Sequence, residues 1–330
     1  MVDPEPLNPE LVQTLLVRSA RFVADGIREF ELVDPLGGPL PPFTPGAHVL
    51  IQAPNGVTRR YSLANSPEER DRYVIAVKRE TGGRGGSISV VDSLQPGDRI
   101  PASLPRNEFE LNASAPGYLF IAGGIGITPI RSMVQQARSS GKPFKLFYLA
   151  RDAASTAYHD EWRAPEFGGH VVVHHDNGDP GQSYDLWPEL EKPDGMHVYC
   201  CGPKGLMEAV QDMTGHWPTS AIHFEDFGSG VSTHRADDTP FIVRLGFEGN
   251  PIEVAADQSI LEALRAAGHR MPSSCESGTC GTCRMKLVAG VADHRDFVLT
   301  DEERLSAIMV CVSRACSPEL VVEREAGLGA

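Results

Sequence analysis

Ser274-Cys275-Glu276-Ser277-Gly278-Thr279-Cys280-Gly281-Thr282-Cys283 is the most informative stretch of the chain, with Cys311 standing a further gap of 27 residues downstream. Three cysteines spaced C-x4-C-x2-C with a fourth apart is the pattern in which four thiolates hold the two irons of a [2Fe–2S] cluster. The filling suits that task. Small residues let a loop wrap closely, its backbone N–H groups can point at sulfur, and glycines supply positive φ angles. A structural zinc also takes four cysteines, but its sites show two short pairs, C-x2-4-C twice. Cysteines packed in a core would have apolar neighbours, and these have small polar ones. Cys275, Cys280, Cys283 and Cys311 are therefore the expected metal ligands. Such a cluster passes electrons singly, so the rest of the chain should hold what supplies them.

At 330 residues the chain has room for two or three domains, and 41% hydrophobic content fills several cores. A formal net charge of −14 with no long basic run argues against nucleic acid as a partner. No apolar stretch reaches the roughly 18–20 residues of a membrane span, so no membrane is expected. Met1-Val2-Asp3-Pro4-Glu5-Pro6 has no basic segment leading into an apolar one, and so is not a secretory signal. Seven cysteines make no disulfide framework here: Cys200, Cys201 and Cys316 remain once the cluster is served. An odd remainder suits a reducing compartment, and the cytoplasm is the expected location.

The pattern changes twice along the chain. Residues 1–113 carry β-formers at short intervals, as in Phe30–Val33, His48–Gln52 and Tyr73–Val77, parted by turns such as Gly37-Gly38-Pro39-Leu40-Pro41-Pro42. Leu11–Leu16 belongs to the first strand or leads into it. Short strands so spaced predict an antiparallel barrel or sandwich. Residues 114–228 alternate strand and helix, with strands at Tyr118–Ala122, Phe144–Ala150, Val171–His175 and His197–Cys201 and a helix through Ile130–Ala137. That alternation predicts a parallel sheet flanked by helices. A linker at 229–238 comes next, flexible by composition. In residues 239–330, Phe241–Leu245 and Pro251–Val254 predict a hairpin, and Ser259 caps a helix ending at Gly268.

Two motifs in the first segment point to a flavin. Arg59-Arg60-Tyr61-Ser62 reads R-x-Y-S at the end of a strand. An arginine neutralises a phosphate, an aromatic lies along a flavin ring, and a hydroxyl reaches a ring nitrogen such as N5. These are also ordinary residues of a sheet edge. Gly82-Gly83-Arg84-Gly85-Gly86-Ser87 comes some 20 residues on, before a helix at Ile88–Ser93. A glycine-rich turn into a helix start offers free N–H groups to phosphate, although a plain helix-entry loop has the same composition. The two motifs in this order, ahead of a nucleotide domain, favour flavin.

Gly123-Gly124-Ile125-Gly126-Ile127-Thr128-Pro129 lies after a buried strand and opens a helix, the setting a dinucleotide loop requires. It departs from the full G-x-G-x-x-G fingerprint and also reads as a tight strand–helix turn. Asp152, just past the next strand, stands where an acid binds an adenosine ribose, which favours NADH over NADPH despite Arg151 beside it. Tyr199-Cys200-Cys201-Gly202-Pro203 closes a later strand. Cys201 is either a neighbour of the nicotinamide or a small buried residue at a strand end.

Taken together, R-x-Y-S, the glycine turn, G-G-x-G-x-T-P, Y-C-C-G-P and the C-terminal cysteines resemble the phthalate dioxygenase reductase family over nearly the whole chain. The resemblance implies a flavin-binding antiparallel β-barrel, a parallel α/β NAD-binding domain and a C-terminal β-grasp ferredoxin domain of plant type. It implies FMN rather than FAD, held by Arg59, Tyr61, Ser62, Gly85, Gly86 and Ser87, with Ala76, Val77 and Lys78 lining the ring. NADH would lie on Gly124, Gly126 and Thr128. His223-Phe224-Glu225-Asp226-Phe227 matches the family's closing segment, which makes Phe227 the aromatic over the flavin face; it also reads as a core aromatic at a domain boundary. Ser62, Cys201 and Phe227 then surround the hydride transfer. The resemblance implies that electrons run from NADH to FMN to [2Fe–2S], and out to a Rieske-type terminal oxygenase of a phthalate-type dioxygenase or vanillate-type demethylase.

Other features have plainer readings. His174, His175 and Asp176 look metal-like but end a strand with nothing nearby to complete a ligand set. Thr300 and Glu303 predict a capping box at a helix start. Cys316 fits no ligand position. A reductase for another acceptor, such as a monooxygenase or a cytochrome, is the nearest rival; a non-enzymatic electron carrier leaves the flavin and nucleotide motifs without a role.

Overall fold

The computed structural model describes residues 10–81, 85–227, 235, 237–273 and 275–325. It divides into two compact units, one running to Glu225 and one starting at Asp226. Gly82, Gly83 and Arg84 of the glycine turn, Ser274 of the cysteine loop, and residues 229–234 and 236 of the linker lie outside the described residues.

The first unit opens with six antiparallel strands: β1 (Gln13–Ala24), β2 (Ile27–Val33), β3 (His48–Gln52), β4 (Thr58–Ser62), β5 (Tyr73–Lys78) and β6 (Arg99–Ala102). Their order is β4-β3-β6-β1-β2-β5. The sheet curls until its edges meet. Just past β4, Ala64 donates its N–H to Val74 C=O at 2.8 Å, and Val74 N–H donates to Asn65 Oδ1 at 2.9 Å. Alternating apolar positions fill the inside of the curl, among them Phe30, Leu32, Val49, Ile51, Ile75 and Val77. The first strand runs well past Leu16. Its second half is hidden in the sequence by Arg18 and Arg21, which pair across to Glu31 (3.0 Å) and Glu29 (2.7 Å) on β2. Helix α1 (Gly86–Ser93) begins two residues earlier than its sequence suggests, directly after Gly85 at φ +78°.

Five parallel strands come next: β7 (Tyr118–Gly123), β8 (Phe144–Ala150), β9 (Val171–His175), β10 (His197–Cys201) and β11 (Ile222–Glu225), in the order β11-β10-β7-β8-β9. Helix α2 (Ile127–Ser139) joins β7 to β8, the single turns α3 (His159–Trp162) and α4 (Trp187–Leu190) lie in later connections, and α5 (Lys204–Met213) comes after β10. The chain leaves β7 towards β8 on one side and returns to β10 on the other. That makes the carboxyl ends of β7 and β10 the switch point, where open α/β sheets bind ligands. The buried core beneath this sheet includes Ile27 and Ala76 of the curled sheet beside Phe120, Ile127 and Tyr199, so the two sheets of this unit share one core.

The second unit holds β12 (Phe241–Leu245), β13 (Ile252–Val254), α6 (Ile260–Ala266), β14 (Arg284–Ala289), β15 (Ala292–Asp293), α7 (Asp301–Arg304), β16 (Ala307–Met309), β17 (Arg314–Ala315) and β18 (Glu319–Glu323). Its main sheet runs β13-β12-β18-β14-β16, with β12 and β18 parallel at the centre and antiparallel neighbours on both sides, and β15 pairs with β17 apart from it. This is the β-grasp arrangement. Ser259 and Glu262 form a full capping box on α6, and Thr300 and Glu303 form one on α7. The region is pinned by a buried ion network: Arg295 binds Asp238 (2.6 Å) and Asp293 (2.6 Å), while Arg314 donates to the carbonyls of Thr239, Ala255 and Gln258.

Candidate functional site

The cluster loop is shaped by its backbone. Glu276, Gly278 and Gly281 take positive φ values of 52°, 79° and 81°, which turn the chain around its own sulfurs. At Gly278 a Cβ would lie 2.8 Å from Val312 Cγ2, so only glycine lets the loop pass that close to the segment carrying Cys311. Ser277 N–H points at Cys275 Sγ and Cys275 N–H at Cys280 Sγ, both at 3.4 Å. The thiols group two and two. Cys275 and Cys280 interact through their side chains, as do Cys283 and Cys311, so the two thiols of each pair shift one another's protonation. Among the described residues no three His, Cys, Asp or Glu side chains converge as one metal ion requires. Two pairs of thiols with backbone N–H groups aimed at sulfur fit a two-iron cluster. Cys316 is exposed, and its N–H is bonded to Val291 C=O at 2.8 Å.

At the switch point the glycines do different jobs. Gly126 has ordinary helical φ, but a Cβ there would sit 2.0 Å from Cys201 O. It is a packing glycine, closing β7 onto β10. Gly124 is left-handed at φ +53° and faces open space, with nothing within 4 Å of a Cβ position. It is where a pyrophosphate can approach the backbone. Thr128 is buried, and its hydroxyl donates to Ile125 C=O at 3.1 Å, tightening the turn. Cys201 is fully buried in the core shared with Tyr199 and Ile127, so the edge of the site receives its backbone. Asp152 Oδ1 accepts Ser155 N–H at 2.8 Å, and that bond holds its carboxyl below the usual range.

The two flavin motifs meet in space. The side chain of Arg59 lies against Gly86, whose Cβ position is 3.0 Å from Arg59 Cγ and Nε. Helix α1 starts after Gly85, which has no side chain to cap it, so an anion beside that guanidinium could take the helix's first N–H groups. Asn55 anchors the turn by donating to Gly85 C=O at 3.3 Å. Ser87 is tied inward, accepting from Glu80 N–H at 3.1 Å. Ser62 Oγ and Tyr61 OH are buried with no hydrogen-bond partner among the described residues. Such orphans are costly unless something fills the place, and the polar edge of a flavin ring would satisfy them. Burial pushes the Tyr61 hydroxyl up to about 12. Ala76 is packed in the shared core, Val77 points into the curled sheet, and Lys78 is exposed and paired with Glu80 at 2.6 Å. What Val77 offers a bound ring is therefore backbone.

Phe227 is 37% exposed and belongs to the second unit, where the carbonyl of neighbouring Asp226 accepts the Ser277 hydroxyl at 3.1 Å. His174 and His175 are occupied by hydrogen bonds to Gln182 C=O (2.6 Å) and the Thr156 hydroxyl (2.9 Å). Two residues near the flavin strand carry no motif that marks them in the sequence. His48 stands opposite Ser62 in the β3–β4 register, and Arg131 on α2 reaches Ala64, two residues past Ser62. The only signal for either is a charged or polar type at an otherwise buried position of its element.

A cysteine loop suited to a two-iron cluster, a switch point suited to a nucleotide and a strand with the flavin motif, held in one chain, define a pyridine-nucleotide-dependent iron–sulfur flavoprotein reductase. Comparison with known proteins agrees. Residues 247–316 match the 2Fe-2S iron-sulfur cluster binding domain, and residues 120–212 match the oxidoreductase NAD-binding domain. The chain is 52% identical over 311 residues to phthalate dioxygenase reductase of Burkholderia cepacia, covering 94% of this chain and 96% of that one. It is 52% identical over 303 residues to the phthalate 4,5-dioxygenase oxygenase reductase subunit of Pseudomonas putida, covering 91% and 93%. A solved phthalate dioxygenase reductase, described as a modular structure for electron transfer from pyridine nucleotides to [2Fe–2S], aligns at a TM-score of 0.68 with 50% identity, covering 94% of this chain and 97% of that one. The chain belongs to the phthalate dioxygenase reductase family. It is an oxidoreductase that carries electrons from NADH by way of FMN and a [2Fe–2S] cluster to an oxygenase.

Proposed function

We propose that the oxygenase is of Rieske type and acts on a phthalate-like aromatic carboxylate, and that the reductase works in the cytoplasm. The observation that carries this reading is 52% identity, over more than nine-tenths of the chain, to two reductases named for phthalate oxygenation. In our reading residues 1–113 bind FMN, 114–228 bind NADH and 239–330 hold the cluster. Arg59 and the start of α1 neutralise the FMN phosphate, and Ser62 Oγ donates to the ring edge beside it. Gly124 and Thr128 set the pyrophosphate of NADH at the switch point, with Asp152 toward the ribose. Cys275, Cys280, Cys283 and Cys311 hold the irons. The flavin, when bound, accepts two electrons as a hydride and releases them singly.

Anaerobic titration with NADH, followed by visible absorbance and electron paramagnetic resonance, tests the internal chain. Flavin bleaching together with a rhombic reduced-cluster signal supports it. Bleaching with no such signal leaves a simple flavin reductase. Coupling to a purified phthalate oxygenase, with a monooxygenase and a cytochrome as competing acceptors, then tests the partner. Preferential reduction of either competitor would overturn the Rieske assignment.

A further inference from the structure

Arg131 is a guanidinium placed where an apolar residue would serve stability as well. Its side chain is 17% exposed, and burying such a charge is costly unless it is fully paired. The fold provides the pairing. Arg131 Nε donates to both carboxylate oxygens of Glu161 on α3, at 2.9 and 3.0 Å. The guanidinium also lies over the ring of Tyr158, 4.5 Å from its centroid, and Tyr158 is held in the left-handed region at φ 58° to present that ring. With its orientation so fixed, Arg131 uses Nη1 to donate to the carbonyl of Ala64 at 2.7 Å.

Both ends of that last bond are close to chemistry. Ala64 lies two residues beyond Ser62. Arg131 lies three beyond Thr128 on α2, so the two share a helix face. A planar fork locked by a carboxylate and an aromatic ring is stiffer than a lysine reaching the same carbonyl. The strut therefore runs from the turn that receives the pyrophosphate to the strand end that carries the flavin-facing hydroxyl.

We propose that Arg131 is a positioning residue for hydride transfer, fixing the nucleotide helix against the flavin strand so that nicotinamide meets the ring in reacting geometry. This rests on the placement of FMN at Arg59–Ser62 and NADH at Gly124–Thr128. A misplacement of about 1 Å in such a reaction costs on the order of 100-fold in rate.

The test is stopped-flow reduction of the FMN-loaded protein by NADH, with parallel measurement of FMN content, melting temperature and the long-wavelength charge-transfer absorbance of the flavin–nicotinamide pair. In Arg131→Met, which keeps the bulk and drops the charge, the saturating reduction rate falls roughly 10- to 100-fold. The charge-transfer band weakens, while FMN content and NADH affinity stay near the parent's. Arg131→Lys recovers only part of the rate and serves if the methionine variant does not fold. A saturating rate within twofold of the parent and an unchanged band, in either variant, overturns the proposal. Ser62→Ala is run alongside. If it reduces as fast as the parent, the flavin placement falls and takes the strut with it. If it is slow while the Arg131 variants are fast, only the strut falls.

Discussion

Replacing Gly126 by alanine separates packing from ligand contact at the nucleotide loop. The added Cβ would lie 2.0 Å from Cys201 O, 2.5 Å from Cys201 C and 2.9 Å from Gly202 N, all backbone atoms of the β10 end. Carbon contacts relax at about 3.5 Å, so the loop and β10 must part by roughly 1–1.5 Å. Overpacking of this kind costs about 1–3 kcal/mol, at about 2–4 °C of melting temperature per kcal/mol in a unit this large. The same displacement carries Thr128 and the start of α2 with it, so the saturating rate of flavin reduction should fall by up to about 100-fold. Gly124→Ala is the informative contrast. No atom lies within 4 Å of its Cβ position, and its strain is the left-handed φ of +53°, about 1–2 kcal/mol. Its Cβ instead occupies the approach to the backbone, so NADH should bind more weakly while the saturating rate is kept. Differential scanning calorimetry and stopped-flow reduction over a range of NADH concentrations read both effects. A Gly126→Ala protein that melts within about 1 °C of the parent and reduces within twofold at saturation would refute the reasoning.

The geometry predicts three further outcomes. Cys316→Ser should leave iron and sulfide content and the reduced-cluster resonance unchanged, because Cys316 is exposed outside the paired thiols, whereas Cys311→Ser should abolish the cluster. His48 is held neutral, its pKa lowered to about 3 by burial and then by Arg60 and Arg106, against an ordinary 6.5. Its contribution to stability is thus full above pH 6.5 and is lost as pH falls towards 3, up to a few kcal/mol at about 1.4 per pH unit; denaturant melts of His48→Asn should show a flatter acid slope. Asp238→Asn leaves Arg295 and Arg314 buried with one carboxylate fewer and should destabilise the second unit by about 3–5 kcal/mol at pH 7, read as earlier thermal bleaching of the cluster. The pKa of Asp238 is lowered to about 2, chiefly by the hydrogen bond from Arg295, so that contribution is present above about pH 4 and fades as pH falls through 2.

Local chemistry made much of this legible from the chain alone. The spacing of Cys275, Cys280 and Cys283, the cap at Ser259, the capping box at Thr300 and Glu303 and the strand–glycine–helix run at Gly123–Pro129 are determined by neighbours in sequence, where backbone geometry and side-chain reach act over a few residues. Strands β6 and β11 were not legible, because four residues each carry too little periodicity. The second half of β1 was hidden because its arginines find carboxylates only once β2 is alongside. The two kinds of glycine in one motif are likewise a tertiary fact: Gly124 and Gly126 look alike until β10 arrives against the second. So are the contact of Arg59 with Gly86, the pairing of the four thiols two by two, and the reach of Arg131 to Ala64. Residue types and spacings determined which cofactors the chain can take. Which side chains face them, and which serve only packing, was decided by contacts between segments far apart in sequence, since burial and close approach do not exist before those segments meet.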